Sequence, residues 1–205
     1  MPGAEEYVPP RVRLPGLRAA VQECRGCELY RDADRAVFGE GRESARAVVV
    51  GEQPGDQEDR AGRPFVGPAG RLFDEALAEV GIDRDDVYVT NATKHFRFQR
   101  QQGKRRIHQK PSRGQVNACR PWLTAELNVV RPEVVVCLGA TAAQALLGPS
   151  FRVSRQRGEL IEHEGMRVLA TVHPSAVLRS EDDREQRYAE LVADLRVAAE
   201  TLRPE

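Results

Sequence analysis

Four short apolar runs recur along the chain: Ala47–Val50, Val87–Val89, Val134–Leu138 and Val168–Val172. Each is rich in β-branched residues, and stretches of helical spacing separate them, so the pattern predicts a parallel α/β sheet. Strands are expected at Arg46–Val50, Val87–Thr90, Val134–Leu138 and Arg167–Val172. Between the first two, Leu72, Ala76 and Val80 recur at helical spacing, and Gly81 stops that helix. Further helices are expected over Leu14–Cys24, Ser112–Val130 (interrupted by Pro121), Thr141–Leu147 and Asp183–Leu202, with a hairpin-like segment near Arg152–Ile161. Residues 1–13 carry three prolines and read as a flexible arm, which leaves 14–205 as a single domain. Residues 94–113 break the rhythm: they are long, polar and poor in apolar positions, the mark of a functional loop.

The ends of the runs carry the chemistry. They terminate in Gly51-Glu52-Gln53-Pro54-Gly55-Asp56, in Asn91, in Gly139-Ala140-Thr141 and in His173-Pro174-Ser175. In open parallel sheets ligands collect outside the carboxyl ends of the strands, so these segments are expected to meet in one pocket. The glycine-rich Gly51–Gly55 turn lacks the lysine and hydroxyl arrangement of a triphosphate-binding loop, which argues against a nucleotide triphosphatase.

Composition changes this picture in two places. The 205 residues are 40% hydrophobic and 30% charged with a formal net charge of zero, but the charges are segregated. No acidic residue falls between Asp86 and Glu126, whereas Lys94, Arg97, Arg100, Lys104, Arg105, Arg106, Lys110, Arg113 and Arg120 all do. A field of that sign suits an anionic partner. No apolar run is long enough to span a bilayer, and the first residues lack a signal-peptide core, so a cytoplasmic protein without membrane contact is expected. In that compartment Cys24, Cys27, Cys119 and Cys137 point to a metal site more than to disulfides, and their spacing leaves zinc and an iron–sulfur cluster both open.

Five ordered blocks now carry a resemblance. Gly51-Glu52-Gln53-Pro54-Gly55-Asp56, Arg63-Pro64-Phe65-Val66-Gly67-Pro68-Ala69-Gly70, Val89-Thr90-Asn91, Cys119-Arg120-Pro121-Trp122-Leu123 and His173-Pro174-Ser175 resemble the uracil-DNA glycosylase superfamily, in particular its iron–sulfur type-4-like branch. The likeness runs from Cys24 to about Leu195, and Lys104-Arg105-Arg106-Ile107-His108 resembles the distinguishing loop of the UdgX subgroup. The resemblance implies a three-layer αβα sandwich around a central, mainly four-stranded parallel sheet. It further implies a monomer that acts on uracil-containing DNA, single-stranded and possibly double-stranded, and a [4Fe–4S] cluster on the four cysteines.

The same resemblance assigns roles. Gly51, Gly55, Phe65 and Asn91 hold the flipped uracil, Asn91 by an amide whose acceptor and donors match uracil N3–H and O4. His173 hydrogen-bonds uracil O2 as charge develops there. Gln53 stands where relatives place a water-positioning aspartate; an amide cannot ionise, which leaves the cationic sugar for another nucleophile. His108 is that nucleophile, oriented by Glu52, with Asp56 supporting the pocket. Lys104, Arg105 and Arg106 are expected on DNA phosphates, with Pro174 and Ser175 against the backbone beside the flipped nucleotide. His95 and His163 receive no role. The other readings are a conventional turnover glycosylase and a uracil-DNA binding protein that no longer cleaves.

Overall fold

The computed structural model describes residues 3–101 and 106–203. The first strand, β1 (Ala47–Gly51), is buried along its whole length because helices cover both of its faces. Side chains alternate across a strand. Val48 and Val50 therefore enter one apolar layer while Ala47 and Val49 enter the other. Before β1 comes α1 (Leu14–Ala20), and after it α2 (Asp56–Ala61) and α3 (Pro68–Val80). Strand β2 (Val87–Asn91) follows, then a small hairpin, β3 (Phe98–Arg100) with β4 (Arg106–His108). Next are α4 (Arg113–Val130), β5 (Val134–Leu138), α5 (Gly139–Leu147), α6 (Val153–Gln156), β6 (Leu160–His163), β7 (Met166–Thr171), α7 (Pro174–Arg179) and α8 (Arg184–Thr201).

Among the described residues the main sheet has the order β2-β1-β5-β7-β6. The first four strands are parallel, and β6 adds an antiparallel edge to β7 through a hairpin at Glu164-Gly165. Helices α1, α4 and α5 pack on one face through Leu17, Trp122, Leu123 and Ala142. Helices α3 and α8 pack on the other through Phe73, Leu77, Leu191 and Leu195. The αβα sandwich expected from the sequence is present, with five strands in place of four. The fifth was hidden because β6 (Leu160-Ile161-Glu162-His163) is half exposed and carries little apolar signal.

Three local differences have physical causes. The polar stretch 94–113 contains the β3–β4 hairpin, in which Phe98 pairs with His108 and Arg100 with Arg106. Pro121 does not interrupt α4, which runs continuously from a Ser112/Gln115 capping box to Val130. The expected flexible arm is docked from residue 3 onward: Gly3 N–H donates to Gly26 O at 3.1 Å, Ala4 N–H to Ala118 O at 2.8 Å, and Ala4 is buried. Among the described residues no helix is long and apolar enough to cross a membrane.

Candidate active site

The parallel strands deliver their polar ends to one side of the sheet, where a cavity of about 740 Å³ opens. Its wall includes Glu52, Gln53 and Gly55 from the turn after β1, Asn91 from β2, Thr141 from α5, and His173 and Ser175 from the β7–α7 junction. His108 reaches it from β4, and Phe65 from the segment before α3. Residues more than one hundred positions apart thus share one pocket, as the strand-end rule expects.

Asn91 is buried at the end of β2, and among the described residues its side-chain amide makes no hydrogen bond within the protein. A Cβ placed on Gly51 would lie 2.3 Å from Asn91 Oδ1 and 2.9 Å from Phe65 Cζ, so only glycine lets both side chains approach there. Phe65 takes a left-handed backbone conformation (φ +56°), and its carbonyl lies where a side chain on Gly70 would stand. Its ring centroid is 5.9 Å from that of Phe73, which fixes the ring from below. The Gly55 N–H is engaged by Glu58 Oε2 at 3.1 Å, so Gly55 shapes the pocket wall and caps α2.

His173 caps α7. Its Nδ1 accepts the Ser175 N–H at 3.1 Å and lies 2.8 Å from Ser175 Oγ. A ring nitrogen that accepts a backbone N–H is unprotonated, which puts the proton of the neutral ring on Nε2. Burial lowers the His173 pKa to about 4, with Arg179 and His108 adding to the shift. His173 is therefore a neutral donor near pH 7. Pro174 is buried as the first residue of α7, and Ser175, engaged with His173, lines the pocket.

His108 is half exposed, with Nε2 3.5 Å from Glu52 Oε1 and its ring centroid 6.0 Å from that of Phe96. Burial holds His108 below the ordinary imidazole range; Arg179 pushes the same way and Glu52 opposes them. The other Glu52 oxygen accepts the Thr141 hydroxyl, which turns Oε1 toward His108. Neither Thr141 nor Arg179 was singled out from the sequence. Thr141 follows β5, and nothing adjacent to it in sequence points to Glu52. Arg179 reaches the pocket only because α7 turns the chain after His173.

Two of the expected site residues bond within the protein. Gln53 accepts from Arg97 N–H at 3.0 Å and donates to Arg97 O at 3.2 Å and Gln109 O at 3.0 Å. Both amide ends clamp the base of the β3–β4 hairpin, so Gln53 positions that hairpin. Arg106 was expected on a phosphate, but its side chain is 3% exposed. It bonds the Asp56 carboxylate and Asp59 Oδ2 (2.6 Å), lies 3.3 Å from Asp34 Oδ2, and stacks 5.0 Å from the Phe98 centroid. Asp56 thereby supports the site through Arg106, outside the pocket wall. Lys104 and Arg105 lie outside the described residues.

Burial pushes the Cys119 thiol up to about 12, and Cys27 and Cys24 add to the rise. Burial also raises Cys27, with Cys24 contributing. Cys137, on β5, is buried, and burial alone pushes its thiol up to about 12. Trp122 Nε1–H donates to Cys24 Sγ and Lys94 N–H to Cys119 Sγ, both at 3.2 Å. Donors aimed at sulfur suit thiolate ligands. Among the described residues no three His, Cys, Asp or Glu side chains form a group placed to hold a metal ion.

Comparison with known proteins follows the same residues. The chain is 37% identical over 169 residues to a type-4 uracil-DNA glycosylase of Thermotoga maritima, which covers 82% of this chain and 84% of that protein. It is 38% identical over 174 residues to the type-4 enzyme of Archaeoglobus fulgidus, covering 81% and 83% respectively. A type-5 uracil-DNA glycosylase of Pyrobaculum aerophilum is 34% identical over 181 residues, covering 80% of this chain and 76% of that protein. Residues 38–196, which hold every pocket residue discussed above, match the family described as the uracil DNA glycosylase superfamily, and the chain belongs to that superfamily.

Proposed function

We propose that this protein excises uracil from DNA and then captures the deoxyribose C1′ on His108, as in the UdgX subgroup. The observation that carries the reading is His108 Nε2 standing 3.5 Å from Glu52 Oε1 in the pocket that also holds Asn91 and His173. Uracil enters between Phe65 and Asn91, where the free amide matches its N3–H and O4. The N1–C1′ bond breaks and its electron pair leaves with uracil N1, while the His173 Nε2–H stabilises charge at O2. Removal of such a donor costs roughly 10²–10³ in rate.

The cationic sugar is then met by imidazole. The His108 Nε2–H pair becomes the new N–C1′ bond as Glu52 takes the proton, and the departed uracil anion is protonated from solvent. The resting separation is longer than a formed hydrogen bond, and such contacts tighten in the reacting complex. Two further features support capture over hydrolysis: Gln53 cannot ionise and is committed to the hairpin, and His108 is held toward its neutral, nucleophilic form.

The cofactor is read as a [4Fe–4S] cluster on Cys24, Cys27 and Cys119, with a fourth donor from Cys137, as the sequence resemblance implies, or from His95. His95 is buried, with its pKa lowered by burial to about 4, and it follows the Lys94 amide that meets Cys119. When bound, the cluster supplies a structural tie between the amino-terminal segment and α4. Iron content of Cys137→Ala against His95→Ala separates the two donors.

The test of the whole reading is a uracil-containing single strand incubated with the protein and run on a denaturing gel. A shifted band that survives heat and detergent, absent in His108→Ser, is expected. Release of uracil without such a band makes the protein a turnover glycosylase. Retention of intact uracil-DNA makes it a binding protein.

A further inference from the structure

A second cavity, of about 440 Å³, adjoins the first and shares Lys110 and Thr141 with it. It lies between two helices, and the sequence builds it by periodicity. Arg113, Val116, Asn117 and Arg120 fall at i, i+3, i+4 and i+7 on one face of α4, while Thr141, Gln144 and Ala145 do the same on α5. Ala145 and Gly148 are small, which leaves the space between the helices open.

The lining is uneven in a way that suits one kind of ligand. Val116, Ala145 and Leu146 give an apolar floor, and Lys110, Arg113 and Arg120 give a cationic rim. Among the described residues none of those three cations lies within ion-pair distance of a carboxylate. Arg113 also stands in the first turn of α4, where the helix dipole disfavours a cation. Gln144 donates its amide to Phe151 O at 3.0 Å, which leaves its oxygen as an acceptor at the cavity wall. An apolar floor, amide edges and a rim of cations are the parts needed for a base and its phosphates.

We infer that this cleft between α4 and α5 holds the nucleotide next to the flipped one on a single DNA strand. The inference rests on the glycosylase reading, because a flipped nucleotide in the first cavity must be joined to neighbours that leave along the surface. The shared wall at Lys110 and Thr141 makes this cleft a direct exit. A base seated there is unpaired, so a duplex must open one pair more than the flip itself requires. The cleft is thus a built-in preference for single strands.

The test uses strands centred on a 2′-fluorinated deoxyuridine, whose fluorine disfavours the cationic sugar and keeps the strand intact. Affinity is measured with both neighbours present, with the 5′ base replaced by an abasic spacer, and with the 3′ base replaced. For the natural protein one of the two spacers is expected to weaken binding about tenfold, within the range of base-contact energies. Ala145→Trp, which fills the cleft, is expected to bind the intact strand and that spacer strand equally, and to lose much of the single-strand preference. Equal binding of all three strands by the natural protein overturns the inference.

Since Ala145 is buried, exposed Arg120→Ala gives a second measure that does not depend on repacking. It is expected to lower the dependence of log affinity on log salt by about 0.7, the value of one single-strand phosphate. An unchanged slope counts against the cationic rim. Uracil release from an ordinary deoxyuridine strand is read separately. Its absence alongside a spacer penalty sinks the glycosylase reading and leaves the cleft standing; release with no spacer penalty does the reverse.

Discussion

Beneath Asn91, Lys94 and Glu126 meet in the core with side chains 1% and 0% exposed; beneath His108, Arg106 meets Asp56 and Asp59 at the edge of the domain. Glu126 also accepts from Tyr88 Oη, Thr90 Oγ1 and Gly39 N–H, and Lys94 Nζ donates to Asn91 O at 2.9 Å. That network ties the end of β2 to α4, and so fixes the Asn91 amide proposed to read the base. The Arg106 network ties β4 to α2, and Asp56 within it is 41% exposed. One buried charge pair therefore belongs to the fold and the other to a positioned insert. The two halves of the proposed chemistry, recognition and capture, hang on different ones.

The largest effect should come from breaking the first. Lys94→Met leaves Glu126 charged and unpaired in the core, a loss of about 3–5 kcal/mol by analogy with other buried pairs. A lowered denaturation midpoint with uracil release and capture lost together is expected. A variant of natural stability removes Lys94 from its structural place.

The second network should fail differently. Arg106→Ala frees the hairpin while leaving Asn91, Phe65 and His173 in the sheet-end pocket. Capture is expected to slow about 10²-fold, the scale of a displacement of about 1 Å in a reacting group. Uracil release should change far less. A gel assay beside a uracil-release assay checks the split, and equal loss of both would show that the two networks are not separable.

Gln53→Leu lies between the hairpin and β1, and should be milder. It removes hydrogen bonds to Arg97 and Gln109, each worth about 0.5–1.5 kcal/mol net. About a tenfold fall in adduct rate at normal uracil release is expected. Full loss of release would return Gln53 to the chemistry at the sugar.

How much of this was legible in the chain follows the same division. The pattern of β-branched runs announced β1, β2, β5 and β7, because a strand buried on both faces has little freedom of composition. Their polar ends announced Asn91, Glu52 and His173. The hairpin was not legible: β3 and β4 hold only Phe98 and Ile107 as apolar residues, and what fixes them is a pairing between Arg106 and aspartates some fifty positions away. Charge in a polar stretch reads as a solvated or DNA-facing surface, and nothing local distinguishes an arginine that turns inward. Cys137 is ambiguous in the sequence for a related reason. A cysteine in an apolar strand looks the same from the sequence whether it packs or ligates.

A pH effect concerns the sheet-end half again, through His173. Its pKa is lowered by burial to about 4, against an unfolded value near 6.5. Between those values the unfolded chain binds a proton that the folded protein refuses, so this group's contribution to stability is present above about pH 6.5 and is lost as pH falls toward 4. Below 4 both states are protonated and no further loss follows from this group. His173→Gln, which has nothing to titrate, should show a shallower decline of unfolding free energy across that window than the natural protein. The same variant is expected to slow uracil release, and the slope separates burial from catalysis. An unchanged slope would mean that His173 takes up its proton in the folded state as readily as in the unfolded one, leaving Nδ1 free of the Ser175 amide and the proton on Nε2 without its anchor.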